Sequence, residues 1–170
     1  MDQRIMQRRI DELESQLRGK NQTLSGLGQN PNAPSGVIKD FYIYEEDFSA
    51  LANGATATGS INIQADSDFV LQKLTYFADI AAAVQTDSSR VVPLVTVQIT
   101  DTGSGRNLME TATPISNIFG TGEIPFILPQ PKLFLARSNI NITVANFSAG
   151  TTYNLRLALI GHKVFRGITG

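Results

Sequence analysis

Residues 139–159, NINITVANFSAGTTYNLRLAL, decide the fold class of this chain. Over 139–147, Ile140, Ile142 and Val144 alternate with Asn141, Thr143 and Ala145. Over 152–159, Tyr153, Leu155, Leu157 and Leu159 alternate with Asn154, Arg156 and Ala158. A side-chain period of two belongs to a strand with one face on a core and the other in water. Between the two runs, Ser148-Ala149-Gly150-Thr151 is a short turn with glycine, so the spacing predicts that they form a β-hairpin.

The same period predicts further strands over 37–44, 60–65, 69–80, 92–100, 107–110 and 132–136. Turn residues separate them, most sharply Asp66-Ser67-Asp68, Thr86-Asp87-Ser88-Ser89 and Asp101-Thr102-Gly103-Ser104-Gly105. Gly105-Arg106-Asn107, following Thr96-Val97-Gln98-Ile99, predicts a second hairpin. About seven or eight short strands at this turn density predict a mainly β chain, with an antiparallel, jelly-roll-like β-sandwich over residues 37–170. Residues 118–131 hold Pro125, Pro129 and Pro131 among apolar side chains. Proline cannot donate to a central ladder, so this segment reads as an apolar loop crossing a sheet edge. Its aromatics, Phe119 and Phe126, either cap the core or meet a partner protein.

Upstream the period changes. Met6, Ile10, Leu13 and Leu17 recur at helical spacing, with Arg4, Arg8, Arg9, Asp11, Glu12 and Glu14 on other faces and Gly19 as a stop. These residues predict an amphipathic helix over 1–19. A helix this short is marginal in water unless its stripe is covered, which makes those four apolar residues candidates for protein contact. Residues 20–36, rich in Asn, Gly, Ser and Pro, read as a linker. Either the helix packs on the sandwich of its own chain, or helix and linker together make an arm that bundles with sister helices or grips a neighbour, which the length of the linker favours.

Composition narrows the function. Apolar residues make up 42 % of the 170 and charged residues 17 %, below the roughly 25 % usual in soluble domains. The net charge of −1 gives no general attraction for nucleic acid or anionic membrane. The absence of cysteine excludes disulfides and thiolate chemistry. The first ten residues carry four charges and no leader-like apolar run, so production in the cytoplasm is expected.

Reaction chemistry has little to stand on. His162 is the single histidine, which rules out a histidine metal cluster within one chain. Glu45, Glu46 and Asp47 are adjacent, and Asp66, Asp68, Asp79, Asp87 and Asp101 sit near turns, where aspartate ordinarily accepts from backbone amides. No EF-hand spacing, P-loop or nucleophile elbow occurs. No enzyme activity, cofactor or metal is expected.

The Thr/Asn/Gly-rich strands, among them Asp68-Phe69-Val70-Leu71-Gln72-Lys73-Leu74, resemble the small decoration or cement proteins of tailed-bacteriophage heads, as do the run Ile124-Pro125-Phe126-Ile127-Leu128-Pro129 and the closing Tyr153-Asn154-Leu155-Arg156-Leu157-Ala158-Leu159. That resemblance implies a virion protein, a homo-oligomer (trimer or dimer) that locks adjacent major capsid protein subunits from outside. A neck, tail or baseplate adaptor ring is an alternative. So is a carbohydrate- or receptor-binding module of a fibre, which would show a shelf of Tyr or Phe beside Asp and Asn.

Overall fold

A computed structural model of the chain describes residues 37–84 and 89–165. The helix expected over 1–19 and the linker over 20–36 lie outside them. The described chain is mainly β, in two antiparallel sheets. Its elements are β1 (Ile38–Leu51), β2 (Thr56–Asn62), β3 (Asp68–Ile80), β4 (Val95–Asp101), β5 (Arg106–Asn107), β6 (Thr113–Pro114), the short helix α1 (Ile115–Ile118), β7 (Phe126–Phe134), β8 (Asn139–Asn146) and β9 (Tyr153–Phe165). One sheet has the order β1-β9-β3-β7; the other has β2-β8-β4-β5, with β6 also pairing β4.

Alternation sets which side chains meet between the sheets. Phe69, Leu71 and Leu74 of β3 and Leu155, Leu157 and Leu159 of β9 join Val95, Val97 and Ile99 of β4 and Ile140, Ile142 and Val144 of β8 in one buried cluster. Each large side chain so buried contributes about 1.5–3 kcal/mol. At one end, Lys163 of β9 is 5 % exposed. Its ammonium donates to Gln64 Oε1 and lies 4.2 Å from the centre of the Tyr42 ring, so the long side chain is satisfied inside.

The hairpin expected from residues 139–159 does not form. β8 and β9 lie in different sheets, and residues 147–152 carry the chain from one to the other. The period of two reports which face is buried and is silent about the neighbouring strand, so two strands facing each other across a core read like two strands side by side. Asn146 holds the crossing. Its Nδ2 donates to Leu51 O (3.0 Å) and Thr151 O (2.8 Å), and its Oδ1 accepts from Ser148 N (2.9 Å). The hairpin expected at Gly105-Arg106-Asn107 is present, with Thr100 opposite Asn107 and Asp101 opposite Arg106. Asp101 accepts from Gly103 N, Ser104 N and Ser104 Oγ, and Lys132 lies 3.1 Å away.

Several bounds differ from the expectation: the strand expected over 60–65 is β2, that over 92–100 begins at Val95, that over 107–110 shrinks to the two-residue β5, and β6 is additional. Two further differences change the architecture. The first strand continues through Glu45-Glu46-Asp47 because its pairing with β9 runs on to Leu51 opposite Tyr153, and Glu46 folds over Gly59 of β2, where a Cβ would collide with the Glu46 carboxylate. Of the segment 118–131 expected as a loop, residues 126–131 instead belong to the edge strand β7, which contains Pro129 and Pro131. Its pairing jumps from Lys132 opposite Leu71 to Ile127 opposite Lys73, so the prolines fall in an irregularity of an edge strand, where no ladder donor is lost.

Candidate functional site

With the leucines of β9 turned inward, Asn154, Arg156, Ala158, Ile160 and His162 occupy the outer face of the β1-β9-β3-β7 sheet. The register assembles rows across it. Phe41, His162, Val70 and Leu133 form one row, and Ile43, Ile160, Lys73 and Ile127 the next. Then come Glu45, Ala158 and Thr75, followed by Asp47, Arg156 and Phe77, and finally Asn154 and Asp79. The outer face therefore has two parts.

The first two rows are mostly apolar, with His162 and Lys73 as their polar members. Phe41 is 72 % exposed, Ile127 65 %, Leu133 48 % and Ile43 40 %, with Val70 and Ile160 half-buried between them. Four strands at about 4.8 Å spacing make this a band about 14 Å wide. A sandwich with water on both sides should carry polar residues there.

The remaining rows are polar around one ring. Arg156 Nε donates to Asp47 Oδ1 at 2.6 Å, both side chains standing well out in water. That hydrogen bond and the Asp47 charge hold the guanidinium above its ordinary pKa. The Arg90 guanidinium carbon lies 5.3 Å from the centre of the Phe77 ring. Phe77 borders two open grooves: one of about 600 Å³ shared with Arg90, Thr75 and Glu123, and one of about 560 Å³ shared with Asp47, Ser49, Asp79, Asn154 and Arg156. In the second groove Asn154 Oδ1 accepts from Ala50 N, which sits in the left-handed region at φ 51°. Asp79 is 1 % exposed, and neither of its carboxylate oxygens has a hydrogen-bond partner among the described residues.

Among the described residues no group of three or more His, Cys, Asp or Glu is placed to hold a metal. Met6, Ile10, Leu13 and Leu17 lie outside the described residues. Phe119 is 3 % exposed and belongs to the core, and Phe126 packs partly buried against it. Phe119 thus takes the core role, whereas Phe126 keeps a partly exposed face and Ile124 and Ile127 of the same segment are exposed. The outer apolar band was missed in the sequence, although a signal existed. Phe41-Tyr42-Ile43-Tyr44 and Leu157-Ala158-Leu159-Ile160 are unbroken apolar runs, which mark strands apolar on both faces.

No protein family matches the sequence, and no curated protein does. Among solved structures, the chain is similar to the infectious bursal disease virus VP2 subviral particle, at 14 % identity and a TM-score of 0.28. That alignment covers 81 % of this chain and 39 % of the VP2 chain.

Proposed function

We propose that this chain is a structural virion protein that binds the outside of a tailed-phage capsid as a homo-oligomer and cements adjacent major capsid subunits. The observation that carries the assembly reading is the outer-face band in which Phe41 and Ile43 of β1 and Ile127 and Leu133 of β7 stand exposed at the two edges of one sheet, with half-buried Val70 and Ile160 on the strands between. Contiguous apolar surface beyond a few hundred Å² is rare on monomers and marks contact sites. Support also comes from connectivity. Strands 1, 3, 7 and 9 make one sheet, and strands 2, 8, 4 and 5 the other; this is the winding of a jelly roll, a fold that capsid proteins use. The phage-head setting rests on the sequence resemblance.

The test is co-sedimentation of the purified chain with capsids that lack it. Saturable binding at a fixed ratio to the major capsid protein, lost in Phe41→Asp, is the expected result. A ring-shaped oligomer without capsid affinity would replace this reading with the adaptor one. A monomer that leaves capsids untouched would remove both.

A further inference from the structure

We infer that the groove between Phe77 and Asp79 on the outer sheet face binds a saccharide, through hydroxyl pairs held by the Asp79 carboxylate. This inference is independent of the capsid reading. Its starting point is the carboxylate itself, 1 % exposed with neither oxygen hydrogen-bonded among the described residues. Buried polar groups are nearly always satisfied, and an ionised one left bare is especially costly. Asp79 therefore lacks donors that a groove occupant can bring.

The surroundings select the kind of donor. Arg156 lines the same groove, and Arg90 stands on the other side of Phe77. A cationic ligand would meet their repulsion, and an anionic one that of Asp47 and Asp79. A neutral polyol meets neither. Its hydroxyls donate to Asp79, its oxygens accept from Arg156, and the Asn154 amide NH2 adds a donor because Oδ1 is already taken by Ala50 N. The apolar C–H face of a sugar ring then has Phe77, 41 % exposed, to rest on. The groove volume, about 560 Å³, is within the range of about 300–1,000 Å³ for small-molecule sites. Both oxygens are closed to bulk water without a ligand, so entry requires rim side chains to turn; Asp47, Ser49, Phe77 and Arg156 are the exposed ones.

Saturation-transfer NMR on the full chain, with the methyl glycosides of glucose, galactose, mannose and N-acetylglucosamine, followed by a glycan array, tests this. At least one sugar should bind, with at least tenfold loss in Phe77→Ala and in Asp79→Ala at unchanged circular dichroism. Asn154→Ala, expected to weaken the same sugar, carries the test if Asp79→Ala does not fold. Agmatine serves as a cationic control. Asp79-dependent agmatine binding without sugar binding would overturn the inference in favour of a cation site. No binding by any glycan, or sugar binding indifferent to Phe77→Ala and Asn154→Ala, would overturn it outright.

Discussion

The outer faces of the two sheets are built to different rules. On the β2-β8-β4-β5 sheet the outward positions include Thr58, Ser60, Asn62, Asn141, Thr143, Thr96, Gln98 and Thr100, a lattice of uncharged polar groups with Ala145 among them. Its neighbours serve one another: Thr58 and Thr143 hydroxyls lie 3.0 Å apart, and Thr100 Oγ1 donates to Asn107 Oδ1. On the β1-β9-β3-β7 sheet, equivalent positions hold Phe41, Ile43, Ile127 and Leu133. Both sheets share one core, so folding alone would be served by the first kind of face twice. The second kind exposes apolar area to water and gains only when something covers it.

The contrast is broken most strongly by introducing charge on opposite faces of the apolar sheet. We predict that Leu157→Asp, at a fully buried position of β9, unfolds the domain, since a lone buried charge costs several kcal/mol. Phe41→Asp, on the outer face, should shift protomer stability by no more than about 1 kcal/mol. Thermal melts followed by circular dichroism compare them; a cooperative melt from Leu157→Asp would mean that the faces are assigned backwards.

Next comes the link between the sheets. Asn146→Ala removes three hydrogen bonds at a 2 % exposed position and should cost about 2–3 kcal/mol in denaturant unfolding. A loss below about 0.5 kcal/mol would show that the crossing does not depend on this side chain.

Asp101 closes the β4–β5 turn at the end of the polar sheet. Burial raises its pKa, but hydrogen bonds from Ser104 and Lys132 outweigh that and hold the carboxyl below its ordinary value. A lowered folded pKa contributes stability above the unfolded value and loses it as pH falls through the folded one. Asp101→Asn should therefore cost about 1–2 kcal/mol at pH 7, with the gap to wild type narrowing in acid. A gap constant with pH would assign the loss to hydrogen-bond geometry alone.

The smallest effect is expected at Glu46, folded over Gly59 between the sheets. Desolvation and then the Asp47 charge raise its pKa, against a hydrogen bond from Ser60. A carboxyl with a raised folded pKa favours the fold below its unfolded value and loses that advantage as pH rises through the folded one. Glu46→Gln should thus stabilise by a few tenths of a kcal/mol at neutral pH, discounted for its partial exposure, and by nothing near pH 3. Destabilisation at pH 7 would show that the ionised form is the one the site prefers.

What the sequence disclosed follows from what periodicity measures. Alternation in 139–147 and 152–159 located two strands and their buried faces, and Gly105-Arg106-Asn107 located a true hairpin, because turn chemistry and register are local. The placement of β8 and β9 in opposite sheets goes with Asn146 meeting Leu51, a contact spanning 95 residues, and left no local trace. The outer apolar band combines Phe41, Val70, Leu133 and Ile160 from four strands, so only pairing brings them together. Asp79 read as one more turn aspartate until its neighbours were in place.

Light scattering coupled to size-exclusion chromatography, on wild type and on Phe41→Asp side by side, tests most directly whether the apolar outer face exists to be covered. The account predicts a defined wild-type oligomer and a folded, monomeric or markedly dissociated variant. A monomeric wild type, or a variant that keeps the same oligomer, would contradict it.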